Sequence, residues 1–186
     1  MLSRQQQDAI RQRIVEAGIV QFLANGYEAT SVDAIAEAAG VSRRSVFRYF
    51  ETKEDIVLTW AMSTGPGLVR ELDGLDCITD TVRAALDAVS RHVGRHEGEH
   101  PVSLAVGRLI ERTPSLRARA HEKYLGWEDL LSDALTVRGA APVAARMAAA
   151  LAIGGLRIAA REWVAGEGRR PIGDILAEAY GPFCEL

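Results

Sequence analysis

The 186-residue chain is poor in cysteine and in long uncharged apolar runs, and each scarcity rules out a class of protein. Its two cysteines, Cys77 and Cys184, lie far apart and outside any Cys-x-x-Cys or Cys/His zinc spacing, so neither a disulfide scaffold nor a zinc module is encoded. Free reduced thiols are expected, with a redox-sensing pair as the alternative. The apolar run from Met147 to Leu156 is stopped by Arg157, well short of the roughly 20 residues a membrane span needs, and reads as buried helix. The start of the chain, with Arg4, three glutamines and Asp8, lacks an apolar signal-peptide core, so the expected location is the cytoplasm, with no membrane. Catalytic motifs are missing as well: there is no glycine-rich phosphate loop, no His-Glu-x-x-His helix and no nucleophile elbow. An enzyme, or a resident cofactor, is therefore not expected.

His92, His96 and His100 stand four residues apart, a spacing that aligns imidazoles on one helix face and can bind a transition metal. Glycines at 94 and 98 work against a continuous helix there, and histidines at a helix C-terminus suit its dipole without any metal. No metal site is assigned.

What the chain does contain is helical pattern. With 48% hydrophobic and 25% charged residues it is ordinary globular material, enough for one large or two small domains. Beyond Asp55 the apolar positions keep helical spacing and never alternate as in a strand, so the fold expected is all-α. A helix starting near Lys53 carries Ile56, Val57, Trp60 and Met62, and either kinks or ends at Gly65-Pro66-Gly67. Proline and glycine punctuation then predicts helices over Thr79 to Arg95, Pro101 to Arg112, Ser115 to Arg138, Pro142 to Ala165 and Ile172 to Tyr180.

The most informative stretch runs from Thr30 to Lys53. A first short helix opens on Thr30 or Ser31, with Asp33 placed to complete a capping box to Thr30, and it puts Ile35, Ala36 and Ala39 on one face. Gly40 follows where the chain must reverse, Val41 plugs the corner and Ser42 caps a second helix. In that helix Val46, Phe47 and Phe50 supply an apolar stripe, leaving Arg43, Arg44, Ser45, Arg48 and Tyr49 outward. Between Val41 and Lys53, four cations oppose Glu51 alone, a local charge of +3 in a chain of net charge −3.

This is the charge and shape of a DNA-reading helix-turn-helix. Duplex DNA attracts such a patch by counterion release, and an arginine can pair two donors with guanine O6 and N7. Arg43, Arg44 and Ser45, near the start of the second helix, are assigned to base edges. Arg48, Tyr49 and Lys53 are assigned to phosphates, as is Ser31 at the first helix start. Ser42 and Phe47 complete the candidate interface.

Residues from about Ile10 to Ile56 resemble the N-terminal domain of the TetR family of one-component bacterial transcription regulators. The resemblance rests on Ile14, Ala17 and Phe22, on Gly26-Tyr27, and on Thr30-Ser31-Val32 with Ile35-Ala36 and Ala39-Gly40-Val41-Ser42. It continues through Val46-Phe47, Tyr49-Phe50 and Lys53-Glu54. The runs Phe47-Arg48-Tyr49-Phe50 and Lys53-Glu54-Asp55 are also similar to an actinobacterial subgroup that includes regulators of mycofactocin-type operons. Arg48 and Tyr49 depart from the aromatic and histidine frequent in the family, and Asp33 is acidic where some members carry a basic base-contacting residue. No relative's operator can therefore be borrowed.

The resemblance implies a DNA-binding domain over residues 1–52 and a helical effector-binding and dimerisation domain over residues 53–186. It implies a homodimer formed through the last two helices, where Ala145, Ala148, Ala149, Leu151, Ala152, Gly155, Leu156 and Ile158 precede Ile175, Leu176, Ala179 and Tyr180. It implies a repressor, with an activator as the alternative, acting on a palindromic double-stranded DNA operator. A small-molecule effector would sit among the middle helices, with Leu104, Arg108, Tyr124, Trp127, Arg157 and Trp163 as candidate walls. Arg108, Arg112, Arg117 and Arg119 would favour an anionic effector such as an acyl-coenzyme A, or else form surface ion pairs with Glu111, Glu122 and Glu128.

Overall fold

The computed structural model describes residues 3–63, 65–73, 80–96 and 100–184, and among them the only regular element is the α-helix. The chain is all-α and divides into two compact units: Met1–Ser63 with Arg108–Ala120, and Thr64–Gly107 with His121–Leu186.

The first unit begins with α1 (Arg4–Asn25), started by a reciprocal capping box between Ser3 and Gln6 and ended at Gly26, whose φ of 85° favours glycine. Its inner face buries Ile14, Val15, Ile19 and Phe22. Gly18 lets α4 (Lys53–Met62) cross closely, since a Cβ there would meet Ile56 Cγ2 at 2.6 Å. The short helices α2 (Val32–Ala38) and α3 (Arg43–Tyr49) add Ile35, Val46 and, just beyond α3, Phe50 to the same core. The corner between α7 (His100–Arg112) and α8 (Pro114–Val137) also belongs to this unit and contributes a fully buried Leu116. There Arg119 pairs with Asp55 at 2.8 Å and donates to the Thr52 hydroxyl at 3.1 Å, tying α8 to the capping box that starts α4. Asp55 on α4 is thus one acid that Arg119 engages, at a helix N-terminus that already gathers hydrogen-bond donors and acceptors.

In the second unit, α6 (Thr81–Arg95), α9 (Pro142–Ala165) and α10 (Ile172–Cys184) pack together, with α5 (Gly65–Arg70) against α6. Alanines 145, 148, 149 and 152 are fully buried on α9, and their small size lets neighbouring helices approach. Gly155 faces the Tyr180 ring so closely that any Cβ would collide with it, and the Tyr180 hydroxyl donates to the Ala152 carbonyl at 2.6 Å. The α9 helix is long and apolar enough, by length and composition, to cross a membrane, yet its inward face fills this core.

The helix predicted near Lys53 ends at Met62 rather than kinking, and α5 starts anew at Gly65. The last helix runs past the predicted Tyr180 to Cys184 with Pro182 inside it, which forfeits the backbone bond that an N–H at that position would make. Of the sulfur and histidine readings, Cys77 and the side chains of Cys184 and His100 lie outside the described residues. His92 is buried, and its ring meets His96 edge-on at 4.7 Å just where α6 stops.

Candidate nucleic-acid interface

The turn between α2 and α3 depends on Gly40, whose φ of 63° is a left-handed conformation costly for a residue with a Cβ. Its N–H reaches the Glu37 carbonyl at 3.1 Å and that of Val41 reaches Ala36 at 3.0 Å, closing the helix end. Ser42 then caps α3 by accepting from Ser45 N at 3.1 Å, and the two serine hydroxyls lie 3.0 Å apart. Val46 and Phe50, four residues apart, point into the core and so fix which side of α3 looks out.

Phe47 does not join that stripe. At about 100° per residue it lies a quarter-turn away from Val46, and the structure leaves it 47% exposed. It stands with Ser42, Arg43, Arg44 and Arg48 on the exposed side, while Ser45 and Tyr49 are half-buried at the margin.

The three arginines of α3 differ in how they are held. Arg43 donates to Asp33 at 2.9 Å, with its guanidinium carbon 5.5 Å from the centre of the Phe47 ring. Arg48 lies over Tyr49 at 4.8 Å and donates to its hydroxyl at 3.0 Å. Arg44 has no protein partner among the described residues, so its donors face solvent.

One expectation is corrected at this point. The α2 cap is Ser31, which accepts from Ala34 N at 3.1 Å, and no box forms between Thr30 and Asp33. Thr30 instead turns inward, 2% exposed, and donates to the Gly26 carbonyl at 2.8 Å, which frees Asp33 for Arg43. Lys53, assigned to phosphates, donates its ammonium to the carbonyls of Tyr27 and Thr30 at 2.9 and 3.1 Å and lies 4.6 Å from the Tyr27 ring centre. In this state it clamps the loop before α2, and its charge is already engaged.

Residues 14–59 match the family model described as bacterial regulatory proteins, tetR family, and residues 77–185 match the one described as the MftR C-terminal domain. The chain belongs to the TetR family. Among curated relatives, this TetR-family chain is 32% identical over 124 residues to a Mycobacterium tuberculosis protein named as the mycofactocin biosynthesis transcriptional regulator MftR, a match covering 64% of this chain and 60% of that one. It is 34% identical over 116 residues to the HTH-type transcriptional regulator TcmR of Streptomyces glaucescens, covering 58% of this chain and 50% of the relative. The chain therefore spans only half to three fifths of the length of these two relatives. A solved structure of Thermus thermophilus FadR, a TetR-family transcriptional repressor in complex with lauroyl-CoA, shares the fold, with a TM-score of 0.64 at 23% identity over 94% of this chain and 93% of that one.

The six candidate effector-site residues of this TetR-family protein are distributed among different surroundings. Leu104 and Trp163 meet at Gly168, where a Cβ would lie 2.7 Å from Leu104 Cδ2 and 3.7 Å from Trp163 Nε1. Tyr124 and Trp127 pack edge to face at 6.4 Å on α8. Arg157 is exposed on α9 beside Glu128, whose carboxyl burial pushes up against the opposing pull of His121 and Arg157. Arg108 clusters with the first unit. Sequence reasoning passed over Lys123 and weighed His92 only as a metal ligand or a helix-end histidine, yet both approach Trp127. The Lys123 ammonium lies 4.5 Å from its ring centre, and the His92 ring packs against it edge-on at 5.8 Å. The available signal was the four-residue spacing of Lys123 and Trp127 on one helix.

Proposed function

We propose that this protein is a homodimeric transcriptional repressor that grips a palindromic DNA operator and is released by a small-molecule effector. The observation that carries the reading is the outward face of α3, where Arg44 has no protein partner among the described residues and Phe47, Ser42 and Arg48 stand exposed beside it. A free guanidinium at the start of such a helix suits a guanine edge, with Ser45 beside it as a second base-reading group, Phe47 suits a thymine methyl, and Ser31, Ser42, Arg48 and Tyr49 surround them with donors for phosphate oxygens. Arg43 joins the base-reading group once DNA draws it from Asp33. Residues 1–52 carry recognition and residues 53–186 the response to effector.

Dimerisation uses α9 and α10. Val143, Met147 and Ile158 on α9 are more than half exposed and Phe183 on α10 is 38% exposed, apolar area that a second copy would cover. Two-fold symmetry would present two α3 helices to half-sites about 34–36 Å apart. The effector is an anion with an apolar body, of which an acyl-coenzyme A is the leading class, given the lauroyl-CoA held by the Thermus thermophilus protein of the same fold. An effector that favours a wrongly spaced pair of α3 helices weakens DNA binding by its differential affinity for that state. The cytoplasm is the working location.

The test is an anisotropy titration with the promoter region beside the protein's own gene. Specific, salt-sensitive binding that disappears in the Arg43→Glu/Arg44→Glu variant with its fold intact supports the reading. Binding indifferent to sequence, or unchanged by charge reversal, overturns it.

A further inference from the structure

The second unit contains polar groups that neither its packing nor the DNA interface accounts for. Trp127 is 4% exposed, and its indole N–H has no hydrogen-bond acceptor among the described residues, an expense that native cores rarely retain without a role. Four residues earlier, the half-buried Lys123 places its ammonium over the rings of Trp127 and Tyr124, 4.5 and 4.9 Å from their centres. No carboxylate pairs with Lys123 among the described residues, and burial pushes its ammonium down to about 8. The third group is His92, buried edge-on to Trp127 at 5.8 Å.

The charges around these groups are lopsided. Arg70 and Lys123 add positive charge near His92, while Glu71, the nearby acid, is already held by Arg91 and Arg95. Over the same groups lies α5, seated by its glycines. A Cβ at Gly65 would collide with the indole Nε1, and one at Gly67 would lie 3.4 Å from His92 Cε1. The helix thus covers the donors with bare backbone and offers the indole no acceptor. Leu68, Leu72, Val89 and Leu131 belong to the same buried cluster as Trp127, so whatever reaches these donors enters apolar surroundings.

We propose that Lys123, the Trp127 N–H and His92 form the headgroup site of the effector, that they take an anionic oxygen, carboxylate or phosphate, carried on an apolar body, and that α5 is the cover which yields to it. The inference rests on the effector-response reading above. Lys123 supplies the charge, the indole one directed donor, and the aromatic faces of Tyr124 and Trp127 keep the ammonium in place while the site is empty.

The experiment measures binding of laurate, lauroyl-CoA, coenzyme A alone and dodecanol to the full chain by calorimetry and thermal shift. It compares the wild type with Lys123→Met and Trp127→Phe, and titrates promoter DNA into the same preparations. In the wild type, laurate or lauroyl-CoA should bind at least about tenfold more tightly than dodecanol, which has the tail without the charge. Laurate binding points to a carboxylate as the headgroup, whereas binding of lauroyl-CoA alone points to the phosphates. Lys123→Met should melt no lower than the wild type, because it removes an unpaired desolvated charge, yet lose the preference for anions. Trp127→Phe, which keeps the ring and deletes the donor, should weaken the anion several-fold. Equal affinity for dodecanol, undiminished anion binding by Lys123→Met, or no binding of any probe overturns the proposal. If promoter binding persists in those cases, only this inference fails. Loss of promoter binding in the wild type would instead strike the regulator reading.

Discussion

Asp33 on α2 and Arg43 on α3 join across the Gly40 turn at 2.9 Å, so the first arginine of the outward helix is already claimed by an acid in the free protein. Both side chains are about 60% exposed, which makes the pair weak in stability terms, worth roughly 0–1 kcal/mol. Its larger effect is on what DNA meets. Asp33→Asn should leave the melting temperature nearly unchanged and tighten DNA binding several-fold, with a steeper salt dependence because one carboxylate no longer opposes the phosphates. Anisotropy at several salt concentrations measures both. Weaker binding by Asp33→Asn would mean that the carboxylate pre-positions Arg43 rather than restraining it.

Arg44 and Phe47 should divide the reading of bases between them. Arg44→Ala is expected to cost about 1–3 kcal/mol of discrimination at one guanine position in an operator selected from random sequence. Phe47→Ala should abolish a preference for thymine over deoxyuridine at a neighbouring position, because the two bases differ only in the methyl group. Both side chains are exposed, so neither change should move the unfolding midpoint appreciably.

Arg119 tests the α7–α8 corner. Burial of the Asp55 carboxyl would raise it, but hydrogen bonds from Thr52 and Arg119, with the Arg119 charge, hold it below its ordinary 3.8. A depressed carboxylate contributes fully above that value and loses its contribution as pH falls through the lower folded one. Arg119→Met should therefore cost about 1 kcal/mol at neutral pH and less under strong acid, where the wild type has lost the same interaction. Denaturant melts at pH 7 and pH 3 would show whether the two proteins converge.

His92 should make the second unit sensitive to milder acid. Burial chiefly, then repulsion from His96, Lys123 and Arg70, outweighs attraction from Glu71 and pushes the imidazole down from 6.5 to about 4. Between those values the unfolded chain binds the extra proton, so stability falls as pH drops from 6.5 towards 4, by about 3 kcal/mol for this one group. His92→Gln should flatten that slope in pH-dependent urea melts. An unaltered slope would assign the acid sensitivity to other groups.

Much of the fold was legible because its boundaries are written in proline and glycine. The span Pro142–Ala165 was read to the residue, and Gly40 with Ser42 placed the turn and the α3 cap correctly. Side-chain roles decided by long-range contacts were not legible. Thr30 and Ser31 are equivalent as caps by spacing, and only the loop at Gly26, which draws Thr30 inward, settles which of them serves. The two carbonyls that the same loop presents to Lys53 come from residues 26 and 23 positions earlier, and no local spacing announces them. The meeting of His92 with Trp127 joins residues 35 positions apart on different helices, beyond the reach of any local pattern.

The first compact unit is discontinuous in sequence, completed by Arg108–Ala120 from the far side of a long intervening stretch. Regulators are often recombined by splicing one protein's DNA-reading head onto another's sensing body at a single junction. Here a cut after Ser63 would strip the head of Leu116 and of the Arg119 partner to Asp55, leaving a transplanted fragment with an exposed hole and an orphaned acid. A working chimera of this protein would need to carry the α7–α8 corner as a second graft.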